Sequence, residues 1–350
     1  MFKMIPFTSW IPVLAIFETA RAVRYLGRVN PATKELTWSA TGVSFTFTGA
    51  SASIGLEGVT GTSSADLIID GKSTYIADVK GPSISTPANL TYGNHTVEFR
   101  KSSEALWGSI FIGNITTDGT FGPDIPVSNR KIEVIGDSIT SAYGIGGTLP
   151  CTNSAALEII SEGYSILTAS ALNADYSLIS WSGIGIIRNY ASGKPDPDPI
   201  MPVRYTRYGA NDADNTYTFP STDAPDAVVF NLGTNDFGHG DGRPILPASN
   251  YTAAVVKFVE SVKASYKNDP AFFLVTSPML SDGNPTGEME KSKQRNALKD
   301  AVGLLNGTRA VVVDWPAQGS DLGCDYHPTP GTNKIGAGVL VEAMRRELGW

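Results

Sequence analysis

At 350 residues, 41% hydrophobic and 17% charged, the chain has the make-up of an ordinary globular protein with room for two domains. A net charge of −7 without any Lys/Arg run argues against nucleic acid as a partner and suits a neutral or weakly charged substrate. The low charge, 36 glycines and 13 tyrosines fit a β-rich, loop-rich extracellular protein.

Residues 1–22, "MFKMIPFTSWIPVLAIFETARA", combine Lys3, an apolar stretch over 4–17 and small residues at Ala20 and Ala22, as in a cleaved secretory leader. Pro6, Pro12 and Glu18 depart from that pattern, and a disordered or surface-packed leader is the alternative. No other segment approaches the ~20 apolar residues of a membrane span, so no membrane partner is expected. Acceptor sequons at Asn89, Asn94, Asn114, Asn250 and Asn306 agree with secretion, although N-x-[ST] also recurs by chance. Cys151 and Cys324 allow one disulfide; two free buried thiols are the alternative.

Residues 23–117 read as a β-sandwich. "GVSFTFTG" alternates Val43, Phe45 and Phe47 with Ser44, Thr46 and Thr48, the period of a half-buried strand. "ADLIIDGKSTYIADV" places Asp70-Gly71 between two apolar runs, a hairpin signal. "NHTVEFRKS" and "ALWGSIFIGNIT" continue the strands, and His95 is expected at the surface. Residues 118–130 are punctuated by Gly and Pro and read as a linker. Over 131–350 the pattern changes. Buried strands "KIEVIGD", "DYSLISWSG", "DAVVFNLGTND", "AFFLVTSPML" and "RAVVVDW" alternate with helical stretches, ending in "IGAGVLVEAMRRELGW". That alternation predicts a parallel sheet with helices on both faces.

In such a sheet, functional groups gather beyond the C-terminal ends of the strands. "EVIGDSITSAYG" puts Ser138 after a strand and a glycine, at the expected start of a helix. Its amide there can hold an oxyanion, although a helix-capping serine is the ordinary reading. "SLISWSGIG" offers the amide of Gly183, which a simple turn also explains. "NLGTNDFG" offers the side chain of Asn235, which an Asx-turn also explains. "GCDYHP" holds His327 in a loop before the last helix. His239 follows "GTNDFG" and reads as a substrate contact rather than a base. "YGIGGT" is a poor nucleotide loop, since its glycines follow a predicted helix and no Lys-Ser/Thr accompanies them. Together Ser138, Gly183, Asn235 and His327 can supply a nucleophile, oxyanion donors and a general base.

Those four blocks resemble the SGNH (GDSL-type) hydrolase superfamily. "GRVNP" near the start, then "GDSIT", "EGYS", "WSG", "RNY", "NLGTNDF" and "GCDYHP" are similar to carbohydrate esterase family 2. The resemblance covers roughly residues 24–350. It implies a three-layer α/β hydrolase domain behind a smaller, jelly-roll-like sandwich, and removal of acetyl groups from plant-wall polysaccharides such as acetylated xylan and glucomannan. Neither a metal nor another cofactor is implied. Superfamily members often carry an Asp three residues before the histidine, where this chain has Cys324. Members of the family manage with a Ser-His dyad whose histidine rests on a backbone carbonyl.

The expectation is therefore a dyad of Ser138 and His327, with Asp325 pointing elsewhere if its loop is extended. Ser138, Gly183 and Asn235 would form the oxyanion hole, each donor worth ~3 kcal/mol. A Cys151–Cys324 bond would clamp the histidine loop to the loop after the nucleophile. Trp181, beside Gly183, is a candidate sugar platform, with core packing as the alternative. A secreted monomer acting on acetylated glycan is expected. A glycan-binding protein with an inactive esterase domain and a general GDSL esterase or lipase are the rivals.

Overall fold

The computed structural model describes residues 23–190, 198–238, 243–283 and 287–350. The expected leader and His239 lie outside the described residues. Ten strands come first: β1 (Arg24–Leu26), β2 (Glu35–Leu36), β3 (Gly42–Gly49), β4 (Ala52–Val59), β5 (Ala65–Ile69), β6 (Lys72–Ile76), β7 (Ser83–Ser85), β8 (Gly93–Lys101), β9 (Ile110–Thr117) and β10 (Thr120–Phe121). One antiparallel sheet runs β1-β3-β8-β5-β6, with β10 also paired to β3; the other runs β2-β9-β4-β7. Val43, Phe45 and Phe47 of β3 and Ile110, Ile112 and Ile115 of β9 fill the space between the sheets.

The β5–β6 turn has Asp70 at φ 51 and Gly71 at φ 79, the two positive values of a tight hairpin whose twist matches its strands. β10 falls inside the segment expected as a linker, because Phe121 pairs with Phe47 and its ring meets Phe45 edge-on. His95 corrects the sequence reading. It stands opposite Phe47 in the β3–β8 pair, so it shares the inward face and is only 8% exposed. Its Nδ1 meets Asp70 Oδ2 at 2.7 Å, and this hydrogen bond, chief among several causes, raises the imidazole pKa.

The rest of the chain runs β11 (Lys131–Gly136), α1 (Tyr164–Ala171), β12 (Asp175–Ser180), α2 (Met201–Arg204), β13 (Ala227–Asn231), α3 (Thr234–Phe237), α4 (Ala248–Ser265), β14 (Ala271–Val275), α5 (Glu290–Leu304), β15 (Ala310–Val313) and α6 (Pro330–Leu348). The five strands form a parallel sheet, β12-β11-β13-β14-β15. Alternate residues feed two cores. Val228, Phe230, Phe272 and Leu274 pack with Phe258 and Val259 of α4 and Leu298 of α5. Val229, Phe273 and Val275 pack with Ile166 of α1 and Leu340 and Met344 of α6. Both faces are covered, as the continuous apolar strands require.

A polar seam joins the two halves. Arg28, almost fully buried, reaches Glu133 at 3.3 Å and lies 3.7 Å over the Tyr217 ring, while Trp38 Nε1 donates to Tyr208 O at 2.7 Å. All five sequon asparagines are exposed. Among the described residues no helix is long and apolar enough to cross a membrane.

Candidate active site

The first side chain arrives at the end of β11. A Cβ on Gly136 would lie 1.9 Å from Thr140 Oγ1, so only glycine lets the chain turn this closely after the strand. Asp137 then folds back, and its Oδ1 accepts from Ile139 N at 3.0 Å. The expected helix is absent here. Residues 137–146 form successive turns, because Ala142 (φ 57) and Gly144 (φ 65) reverse the backbone before a helix can propagate. Ser138 therefore gains no helix dipole.

His327 enters from the far end of the chain. Thr329 caps α6 by accepting from Thr332 N at 3.2 Å, Pro330 opens the helix, and the turn just before it carries the imidazole. His327 Nε2 lies 2.9 Å from Ser138 Oγ, and His327 Nδ1 lies 3.0 Å from the backbone oxygen of Asp325. A carbonyl only accepts, so Nδ1 carries the hydrogen and Nε2 presents the lone pair to the serine hydroxyl. Burial pushes the His327 pKa down to about 4, against the opposing pull of the Asp325 carbonyl and charge. The ring rests as the neutral base.

The Asp325 carboxylate faces away from the imidazole. Its Oδ2 accepts from Asn153 N at 2.9 Å and from Tyr143 Oη at 3.1 Å. The loop is not extended, however. Asp325 (φ 49, ψ 37) and Tyr326 (φ 65) make a left-handed turn within Cys324–Tyr326, and this turn aims the carbonyl of Asp325 inward. Asp tolerates left-handed backbone, but for Tyr326 it is costly and persists only where neighbours enforce it. Here Gly323 N donates to His327 O at 2.8 Å, His327 N donates to Cys324 O at 3.0 Å, and Cys324 is disulfide-bonded to Cys151. Tyr143 adds a lid over the base: its ring stacks on the imidazole with centroids 4.2 Å apart.

Gly183 follows β12 at φ 80 and Asn235 sits in α3, and both line the cleft that holds Ser138 and His327. Among the described residues the amides of Ser138 and Gly183 donate to no protein acceptor, which leaves both N–H groups for a ligand. Asn235 Nδ2 gives one hydrogen to Ile184 O at 2.8 Å and retains a second. Beside it Asp236, unremarked in the sequence, is fully buried. Its carboxylate gathers the amides of Ile186, Ile187 and Arg188, the nearest at 2.8 Å, and so shapes the loop after Gly183. The only signal for it was the Asn-Asp pair itself.

The cleft encloses about 560 Å³. Met279 and Leu280 give it an apolar side, and Tyr190 and Tyr326 stand on its rim 53% and 62% exposed. Trp181 is not among its walls. That residue is 7% exposed in the core, with the Arg204 guanidinium 3.5 Å above its ring. The candidate sugar platform gives way to the core-packing alternative: Met201 and Arg204 of α2 pack on the end of β12, and an aromatic there turns into the packed layer. The exposed tyrosines escaped the sequence reading because nothing local separates a rim tyrosine from a surface one. Among the described residues no group of three or more His, Cys, Asp or Glu side chains is placed to hold a metal ion.

Comparison with known proteins returns the same two-part organisation. Residues 25–124 match the family described as Carbohydrate esterase 2 N-terminal, and residues 132–337 match GDSL-like Lipase/Acylhydrolase. A crystal structure of a carbohydrate esterase family 2 enzyme plus carbohydrate-binding domain from Corynascus thermopiles (Myceliophthora fergusii) is 57% identical. It covers 94% of this chain and all of that one, with a TM-score of 0.91. An acetylxylan esterase / glucomannan deacetylase of Cellvibrio japonicus is 29% identical over 81% of this chain and 78% of its own length. The cellulase/esterase CelE of Acetivibrio thermocellus is 28% identical over 95% of this chain, which spans 40% of CelE.

Proposed function

This chain belongs to carbohydrate esterase family 2, and on that premise we propose that it removes O-acetyl groups from plant cell-wall polysaccharides, acetylated xylan and glucomannan, through an acetyl-serine intermediate on Ser138. The observation that carries the reading is the relay from Ser138 Oγ through His327 to the Asp325 carbonyl. A hydroxyl 2.9 Å from a neutral imidazole nitrogen is poised to lose its proton as it attacks.

In the proposed cycle His327 Nε2 takes the Ser138 proton while Oγ adds to the acetyl carbonyl. The oxyanion falls to the amides of Ser138 and Gly183 and the free hydrogen of Asn235, donors worth ~3 kcal/mol each. The imidazolium then protonates the departing sugar oxygen, which leaves acetyl-Ser138. Water, deprotonated by the same nitrogen, adds to the acetyl carbonyl; the bond from the acetyl carbon to Oγ then breaks, the imidazolium returns its proton to Oγ, and acetate leaves with Ser138 and neutral His327 restored. With a carbonyl in place of a carboxylate, His327 is oriented as in a triad but its cation is stabilised less. An acetyl group is small, and an open cleft rimmed by Tyr190 and Tyr326 suits the sugar rings that carry it, because aromatic faces pack on apolar ring faces.

Secretion belongs to the same reading. A disulfide supports it, because such bonds persist in oxidising compartments, and the five exposed sequons are open to glycosylation there. The glycan-binding alternative is disfavoured by the assembled Ser138–His327 pair, which binding alone does not need. Acetate release from acetylated xylan and glucomannan by the wild type and Ser138→Ala, side by side, tests the reading. Release by the first alone is expected. Equal release by both, or binding without release by either, would overturn it.

A further inference from the structure

The sandwich reaches into the site through a pair of buried acids that the proposed cycle does not use. Residues 102–107 follow β8 and pack on Glu158 of the α/β half. Ser102 Oγ donates to Glu158 O at 2.7 Å and accepts from Ile160 N at 2.8 Å. Glu104 N donates to Glu158 Oε2 at 2.7 Å, and Trp107 Nε1 donates to Oε1 at 2.8 Å. Both carboxyl groups are fully buried. Burial, with repulsion from Glu158, raises Glu104 well above the ordinary carboxylate range, and burial also raises Glu158. Lys101 contributes its ammonium by donating to the carbonyls of Ser103 and Glu104.

What Glu104 does with its oxygens is the informative part. Neither is satisfied inside the sandwich. Oε2 accepts from Ser182 N at 2.8 Å, and Oε1 accepts from Ser182 Oγ. Ser182 immediately precedes Gly183. On the other side Tyr190 N donates to Gly183 O at 2.6 Å, and Asp236 holds the amides from Ile186 to Arg188. The Gly183 amide is thus suspended between two buried acids, one from each half of the protein. Glu158 extends the same cluster toward the base: its Oε1 accepts from Asn153 Nδ2 at 2.7 Å, and Asn153 N holds the Asp325 carboxylate. Burying two adjacent carboxyl groups is costly where apolar packing would seal an interface as well.

We propose that Glu104 is a positioning residue for the oxyanion hole: the sandwich supplies the carboxyl group that fixes Ser182 and thereby aims the Gly183 amide at the carbonyl attacked by Ser138. This rests on the reading of Gly183 as an oxyanion donor. The sandwich is then a working part of the esterase rather than a module carried beside it.

The test uses the full chain with Glu104→Ala, Glu104→Gln and Ser182→Ala. Two reactions are followed: hydrolysis of p-nitrophenyl acetate, and phosphonylation of Ser138 by a fluorophosphonate, in which Oγ displaces fluoride while the P=O oxygen occupies the oxyanion hole. Loss of one well-aimed donor costs about 10²–10³ in kcat, so a donor merely misaimed in Glu104→Ala is expected to cost about 10–100-fold. KM should stay within about twofold, and phosphonylation should slow by the same factor as kcat. Glu104→Gln keeps an acceptor for Ser182 N and a neutral group beside Glu158, and should recover to within about fivefold of the wild type. If Glu104→Ala does not fold, Ser182→Ala decides, with a kcat loss of about threefold or more at unchanged KM expected from one lost hydrogen bond. Wild-type kcat in a folded Glu104→Ala, a change in KM alone, a Gln variant as impaired as Ala, or no loss in Ser182→Ala would each overturn the proposal. A wild type that reacts with fluorophosphonate but releases no acetate from polysaccharide defeats the substrate reading and leaves the Glu104 ratio to decide the inference. Inertness to fluorophosphonate defeats both.

Discussion

Asp325→Asn separates a supporting carbonyl from a supporting carboxylate. The carbonyl lies 3.0 Å from His327 Nδ1, and the substitution leaves it in place. The carboxylate serves Asn153 N and Tyr143 Oη instead, both through Oδ2, and an asparagine oxygen in that place can still accept from both. Asn also tolerates the φ of 49° better than other non-glycine residues. What disappears is the charge on hydrogen bonds that brace the turn, about 1 kcal/mol. If all of it reached the transition state, kcat would fall about fivefold, because 1.4 kcal/mol is about tenfold. Asp325→Ala removes both braces and meets the left-handed backbone without a side chain suited to it, so about 2 kcal/mol and about thirtyfold are expected. Initial rates of acetate release from acetylated xylo-oligosaccharides, with KM measured in parallel, read both values. A loss of about 10³ or more in the Asn variant, the scale of a missing triad acid, would refute the reasoning.

Other expectations follow from the same geometry. Because the neutral ring is the base and burial holds His327 at about 4, kcat/KM should stay level as pH falls and decline on an acid limb only near that value; a limb near the ordinary imidazole pKa of ~6.5 would contradict it. The Cys151–Cys324 bond closes a span of 173 residues and anchors the histidine turn. Replacing both cysteines should cost about 2–4 kcal/mol in denaturant unfolding and lower kcat as well; a stability loss with unchanged kcat would show that the turn does not need the clamp. Trp181→Leu should lose about 2–4 kcal/mol of unfolding free energy in denaturant titration with KM for acetylated xylan unchanged, since the ring is packed beneath Arg204. Tyr326→Ala should do the reverse, raising KM for the polysaccharide while sparing p-nitrophenyl acetate; an unchanged polysaccharide KM would remove it from the substrate surface.

Much of the fold was legible because its signals are local. The alternation of Val43, Phe45 and Phe47, the Asp70-Gly71 turn and the apolar runs of the five parallel strands each predict an element that the structure contains. Ser138 stands out for a local reason too, coming two residues after Gly136 at the end of a strand. What escaped depends on partners far along the chain. The pattern predicts a helix after Ser138, but Ala142 and Gly144 are left-handed, and Gly144 lies against the turn of Cys324, where a Cβ would come within 2.7 Å of the Cys324 Cβ. Its place inside a sequon puts His95 at the surface on a sequence reading, whereas its face is set by Phe47 across the sheet. Glu104 and Ser182 are 78 residues apart, and no spacing rule links them. The direction of the Asp325 carboxylate was anticipated, yet from an extended loop that the structure replaces with a left-handed turn.

The covalent step is open to direct observation. Protein mixed with p-nitrophenyl acetate, quenched in acid within the first turnovers and digested, should carry one acetyl group on the peptide that contains Ser138, and Ser138→Ala treated alike should carry none and release no acetate. Steady turnover with that peptide unmodified, and with Ser138→Ala as active as the wild type, would contradict a Ser138–His327 esterase.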